Sequence, residues 1–161
     1  MKAARPRDLE WSWERSPGWR GQFHRVLRWH KRLLRQAGSS DLDQTFDVAL
    51  AFFINCYHLH DWLGRSGEVS ADDLDRLFTA SLPLRVCADI ANIAKHYDLT
   101  QAPRMTRQLS VAREYVPGGS GWFGTDGALK VLADGGTYDF LELASACRDA
   151  WTRFLEDRGL N

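Results

Sequence analysis

The sequence predicts a mainly α protein: a bundle of four to five helices in one domain, with a small β-hairpin before the last helix. Three observations carry this reading. Apolar residues recur with a helical period through most of the chain. The period shortens to two only after Pro103 and returns to helical at Asp139. The chain has 161 residues, 44% of them apolar with seven Trp and eight Phe, enough for one core of large side chains.

Residues 1–18 carry Pro6, Pro17 and Gly18 around Trp11 and Trp13, and read as an irregular arm packed by its tryptophans. Residues 19–36 read as an amphipathic helix. Trp19, Phe23, Val26, Leu27, Trp29, His30, Leu33 and Leu34 share one side; Arg20, His24, Arg25, Arg28, Lys31, Arg32 and Arg35 share the other. Gly38 ends it. The bundle core spans 40–100. Ser40-Asp41-Leu42-Asp43 resembles a capping box that opens a second helix, expected to run to about Leu63 and to stop at Gly64 and Gly67. That helix is apolar nearly all round, from Phe46 through Phe52, Phe53 and Tyr57 to Trp62, the pattern of a central, covered helix. Ser70 caps a short helix to about Ala80, and Pro83 lies near the start of the next, which continues to about Tyr97. Residues 105–136 hold the hairpin. Leu109, Val111, Arg113 and Tyr115 alternate, Leu129–Ala133 form a second run, and residues 117–127 are a Gly-rich loop. The closing helix, 139–158, turns Leu141, Ala144, Cys147, Trp151 and Leu155 inward.

The formal net charge is zero, but it is unevenly distributed. Residues 1–40 hold ten Lys/Arg against three Asp/Glu, a balance of +7, and residues 41–161 hold eleven against eighteen, a balance of −7. Either the basic end docks on the acidic remainder or it serves an anionic partner. Cys56, Cys87 and Cys147 fall in separate apolar segments; an odd count without metal-type spacing reads as free buried thiols in a reducing compartment. No signal-peptide pattern is present, and the most apolar stretch, Val48–Cys56, is nine residues, so no membrane span is expected and the location is expected to be cytoplasmic.

Two constellations bear on chemistry. On the 83–97 helix, Arg85, Asp89, Asn92 and His96 recur at i, i+4, i+7 and i+11, the spacing of a bundle seam. A second stripe on the central helix runs Asp47, Ala51, His58, Asp61 and Arg65. Antiparallel packing of the two helices would let His58 and Asp61 approach Asp89, Asn92 and His96. The functional reading is a polar cleft with histidine as acid–base or ligand. The structural reading is an Arg85–Asp89 pair and a satisfied histidine on a solvated face. By ligand type His58, Asp61, Asp89 and His96 could take a divalent metal, but the Glu-x-x-His pairs of di-iron bundles are lacking, so no metal or cofactor is expected.

The run Phe52-Phe53-Ile54-Asn55-Cys56-Tyr57-His58-Leu59-His60-Asp61-Trp62, followed by Asp89-Ile90-Ala91-Asn92-Ile93-Ala94-Lys95-His96, looks like uncharacterised bacterial helical proteins. More broadly it resembles the HEPN (higher eukaryotes and prokaryotes nucleotide-binding) superfamily, over about residues 40–100 and the closing helix. The resemblance implies a small helical bundle, often dimeric, of a defence or toxin–antitoxin type, where many members are metal-independent RNases. Their motif is an arginine, four to six intervening residues, then a histidine. Counting back from His96 puts Asp89, Ile90 or Ala91 in the arginine's place, and Arg85 is ten intervening residues away. Arg25-x4-His30 matches literally, on the first helix, where basic residues are dense. Under this resemblance His96 is the general acid or base, Asp89 orients a partner, and Asn92, His58 and Asp61 line the cleft. Lys95, Arg85 and Arg65 would hold substrate phosphate.

The basic helix has its own expectation. Arg20, Arg25, Arg28, Lys31, Arg32 and Arg35 along one face fit RNA phosphates, with a membrane surface or the acidic part of the chain as alternatives. Gly118–Gly124 reads as an exposed turn with an aromatic tip, since no P-loop Gly-Lys-Ser/Thr follows it. The competing function is a non-catalytic interaction or immunity module, whose polar stripe is structural and whose partner is a protein or a second copy.

Overall fold

The computed structural model describes residues 18–96, 110–115, 127–133 and 135–160. Five helices and three strands follow in order: α1 Trp19–Leu34, α2 Leu42–Ser66, α3 Ala71–Ala80, α4 Leu82–His96, β1 Ser110–Tyr115, β2 Gly127–Ala133, β3 Gly136–Asp139 and α5 Phe140–Glu156. The arm tryptophans and the Gly-rich segment 117–126 lie outside the described residues.

Three helices, α2, α3 and α5, start where a side chain satisfies otherwise unpaired N–H groups, whereas Gly18 opens α1 without a side-chain cap. Asp41, rather than Ser40, caps α2: its Oδ1 accepts from Gln44 N at 2.9 Å. Ser70 Oγ accepts from Asp73 N at 3.1 Å to open α3. Asp139 Oδ1 accepts from Leu141 N at 2.8 Å and Glu142 N at 3.2 Å to open α5. Gly64 does not stop α2; it sits inside the last turns. Gly67 ends the helix, with φ +75° in the left-handed region that a side chain disfavours.

α2 is the axis of the bundle, touching α1, α3, α4, α5 and β2. Its Phe52, Phe53, Cys56, Leu59 and Leu63 are wholly buried, as its all-round apolar pattern demands. α1 runs antiparallel to it, from Trp19, whose Nε1 donates to Glu68 at 2.8 Å, to His30, whose ring lies 5.9 Å from Phe52. α5 runs parallel to it. Phe140 packs on Phe46 and Phe53, and Trp151 on Phe78. α4 returns antiparallel: Phe78, just before it, contacts Tyr57 and His60, while Cys87 further along donates to the Phe53 carbonyl at 3.4 Å. Large aromatics interlock edge-to-face through this core.

The strands form an antiparallel meander in the order β1-β2-β3, one strand more than the expected hairpin. Ala133 pairs with Gly136 across a two-residue connection in which Gly135 takes φ +78°. The extra strand is short, and the Gly-rich signal before it reads equally well as a loop. β2 alternates as a half-buried strand should: Leu129, Val131 and Ala133 face the core, and Leu132 is exposed. The sheet leans on α2 and α5. Among the described residues no single helix is long and apolar enough to cross a membrane.

Candidate functional site

On α1 the two faces separate much as the charge pattern requires. Trp19, Val26, His30 and Leu33 are buried, while Leu34 is 45% exposed at the helix end. Gln22, on the same inner face, is fully buried. Its Nε2 donates to the Asn55 carbonyl at 2.7 Å and its Oε1 accepts from Arg25 at 2.8 Å. Two of the six basic residues thus have polar partners: Arg25 bonds the buried Gln22, and Arg20 pairs with Glu68 at 3.4 Å on the surface. Arg28, Lys31, Arg32 and Arg35 are exposed, and none makes an ion pair among the described residues. The Arg32 guanidinium lies over the Trp29 ring, 4.5 Å from its centroid.

His30 is 4% exposed, with Nε2 3.0 Å from Ser145 Oγ. Burial, and next the Arg148 guanidinium, hold its pKa below the usual 6.5, with Asp149 opposing. Arg25 and His30 therefore engage different partners, Gln22 on one side and Ser145 on the other.

On α4 the stripe is not a solvated face. Asp89 is 3% exposed and Asn92 half-buried, and both have interaction partners. Arg85 donates to the Thr79 carbonyl at 2.8 Å; its Nε is buried without a hydrogen bond among the described residues. Lys95 is exposed. His96 is the last residue of α4, and its side chain lies outside the described set.

The α2 stripe faces elsewhere. His58 is exposed. Asp61 Oδ1 lies 3.2 Å from His60 Nδ1, and the His60 ring is wedged against Tyr57 and Phe78. Asp61 and Arg65 share an open cleft of about 440 Å³ with His60 and Asp75. The antiparallel packing of α2 and α4 holds, but its register separates the two polar sets. Cys87 sits at Phe53; from there α4 carries Asp89 and Asn92 toward the α2 N-terminus, while His58 and Asp61 lie toward its C-terminus. At about 1.5 Å rise per residue, the sets diverge by roughly 10 Å or more along the helix axes. Asp89 and Asn92 come together on one element, Asp61 and Arg65 on another.

One cluster escapes a reading of linear spacing. The Sγ atoms of Cys56, Cys87 and Cys147, one each from α2, α4 and α5, lie within 4.8 Å of one another in the closed core. Burial pushes the Cys87 and Cys147 thiols well above their usual range. Burial also opposes charge on Cys56, but the two neighbouring thiols and the nearby Trp151 N–H favour it and together outweigh burial, so its pKa falls. Each cysteine sits on an inward helical face, the available hint; the convergence needs the packing of three helices.

No family model, curated protein or solved structure matches this chain.

Proposed function

We propose that the protein is an RNA-associated, HEPN-like bundle that grips phosphate through the outer face of α1. The supporting observation is the set of four exposed cations, Arg28, Lys31, Arg32 and Arg35, with no carboxylate neutralising them among the described residues. Such a row contacts a polyanion without base specificity, each phosphate contact releasing condensed counterions. Arg32, braced on Trp29, offers a planar fork for bidentate phosphate binding.

The test is fluorescence anisotropy with a single-stranded RNA oligonucleotide across a salt series. Four phosphate contacts predict a log–log slope of about −3. Replacing the four residues by Ala removes most of that slope. Wild-type protein that fails to bind, or a variant that binds equally well, rejects the reading. RNA cleavage in EDTA, lost in His96→Ala, would extend it to a metal-independent RNase.

A second reading is favoured by Asp89. A carboxylate buried this deeply, with a partner, fits a polar network that holds helices together, as in a non-catalytic interaction module. Under that reading the exposed α1 face binds an acidic protein. Competition between RNA and an acidic polypeptide for the same four cations separates the two.

A further inference from the structure

We propose that Cys56, Cys87 and Cys147 form a closed tris-thiolate site for a soft divalent d10 ion of the zinc class. Ligand softness comes first: three thiols without carboxylate or imidazole select thiophilic ions. Geometry comes next. With metal–sulfur bonds of about 2.3 Å, a trigonal or tetrahedral centre needs sulfurs about 4 Å apart. These three already lie within 4.8 Å of one another, and each is carried by a different packed helix.

A second observation points into the cluster. The Trp151 indole Nε1 is fully buried and has no hydrogen-bond partner among the described residues, and Trp151 lies one turn after Cys147 on the buried face of α5. A buried N–H left unpaired is costly, about 1–3 kcal/mol, and a metal-bound thiolate is the acceptor that would satisfy it. Two of the three thiols donate to backbone carbonyls, Cys87 to Phe53 at 3.4 Å and Cys147 to Pro83 at 3.2 Å.

Charge selects the ion's valence. Loading converts three thiols and a divalent cation into a complex of net charge −1, with three protons released to solvent. A monovalent ion would leave −2 in an apolar core, which is far more costly. All three sulfurs are shut off from solvent, so the ion enters while the chain folds or opens.

The experiment uses the full chain, unfolded and reduced with a phosphine, then refolded without oxygen in the presence of Cd²⁺ as the probe. A near-ultraviolet sulfur-to-cadmium charge-transfer band that saturates at one ion per chain is expected. It should be lost in Cys56→Ala, Cys87→Ala and Cys147→Ala alike, and the wild type should melt at a higher temperature when loaded. Zn²⁺ should displace the band in competition. Cadmium-edge X-ray absorption on the wild type needs no variant to fold and should count three sulfurs. No band in the folded wild type, fewer than three sulfurs, or a band that survives any one substitution overturns the proposal.

Discussion

The outer face of α1 and the stripe of α4 look alike as sequence, each a row of polar side chains at helical spacing, yet the fold puts one outside and the other inside. On α1 the row is all basic, and four of its members end in solvent. On α4 Asp89 is 3% exposed, and the apolar residues around it (Val86, Cys87, Ile90, Ala91) are buried as well. The difference teaches that a polar stripe marks a face, not its surroundings. α1 has a strong enough contrast between its faces that only one side can pack. The middle of α4, from Val86 to Ala91, is covered by its neighbours, so Asp89 there must find its partner within the protein.

The largest effect is expected from Asp89→Ala. Removing a buried carboxylate leaves its partner unsatisfied and should cost about 1–3 kcal/mol. Urea denaturation should show a lower midpoint with an unchanged slope. A loss near zero would mean the α4 stripe is solvated after all, and the contrast with α1 would vanish.

A smaller effect concerns the inward side of α1 and appears as a pH slope. His30 is buried with its folded pKa below 6.5, so the unfolded chain takes up a proton that the folded chain refuses. Its contribution to stability is therefore complete above 6.5 and is lost as pH falls below that value toward the folded pKa. Stability measured at intervals from about pH 7 to 5 should fall more steeply in the wild type than in His30→Gln. Equal slopes would place the imidazole in contact with solvent.

The smallest effect is expected on the outer face. Arg28→Ala, Lys31→Ala and Arg35→Ala should each change stability by no more than about 0.5 kcal/mol, because exposed cations without partners contribute little. A thermal midpoint that drops well beyond that range in any one of them would reveal a docking contact and weaken the case for a free basic surface.

Much of the architecture was legible from periodicity and capping residues. Ser70, Asp139 and Gly67 punctuate the helices, and the all-round apolar pattern of α2 announces the central helix. β3 was not legible: Gly136–Asp139 is four residues, too short for an alternation to stand out from the turn before it. The site was less readable, for a physical reason. Spacing along one helix gives the face of a residue but not the axial offset between two helices. His58 and Asp61 share a face with each other and Asp89 with Asn92, yet the Phe53–Cys87 contact sets an offset that carries the pairs apart. Gln22 and the three cysteines were hidden in the same way, since their partners come from other helices.

Asp139 carries a consequence of a different kind. One of its oxygens caps α5, while the other lies 3.6 Å from Lys130, the residue directly across from it in the β2–β3 ladder. A slip of β2 by one position would move Lys130 out of reach and turn Leu129, Val131 and Ala133 toward water. The same carboxylate thus joins the start of a helix to the alignment of two strands, and a misaligned chain keeps the cap but loses the ion pair.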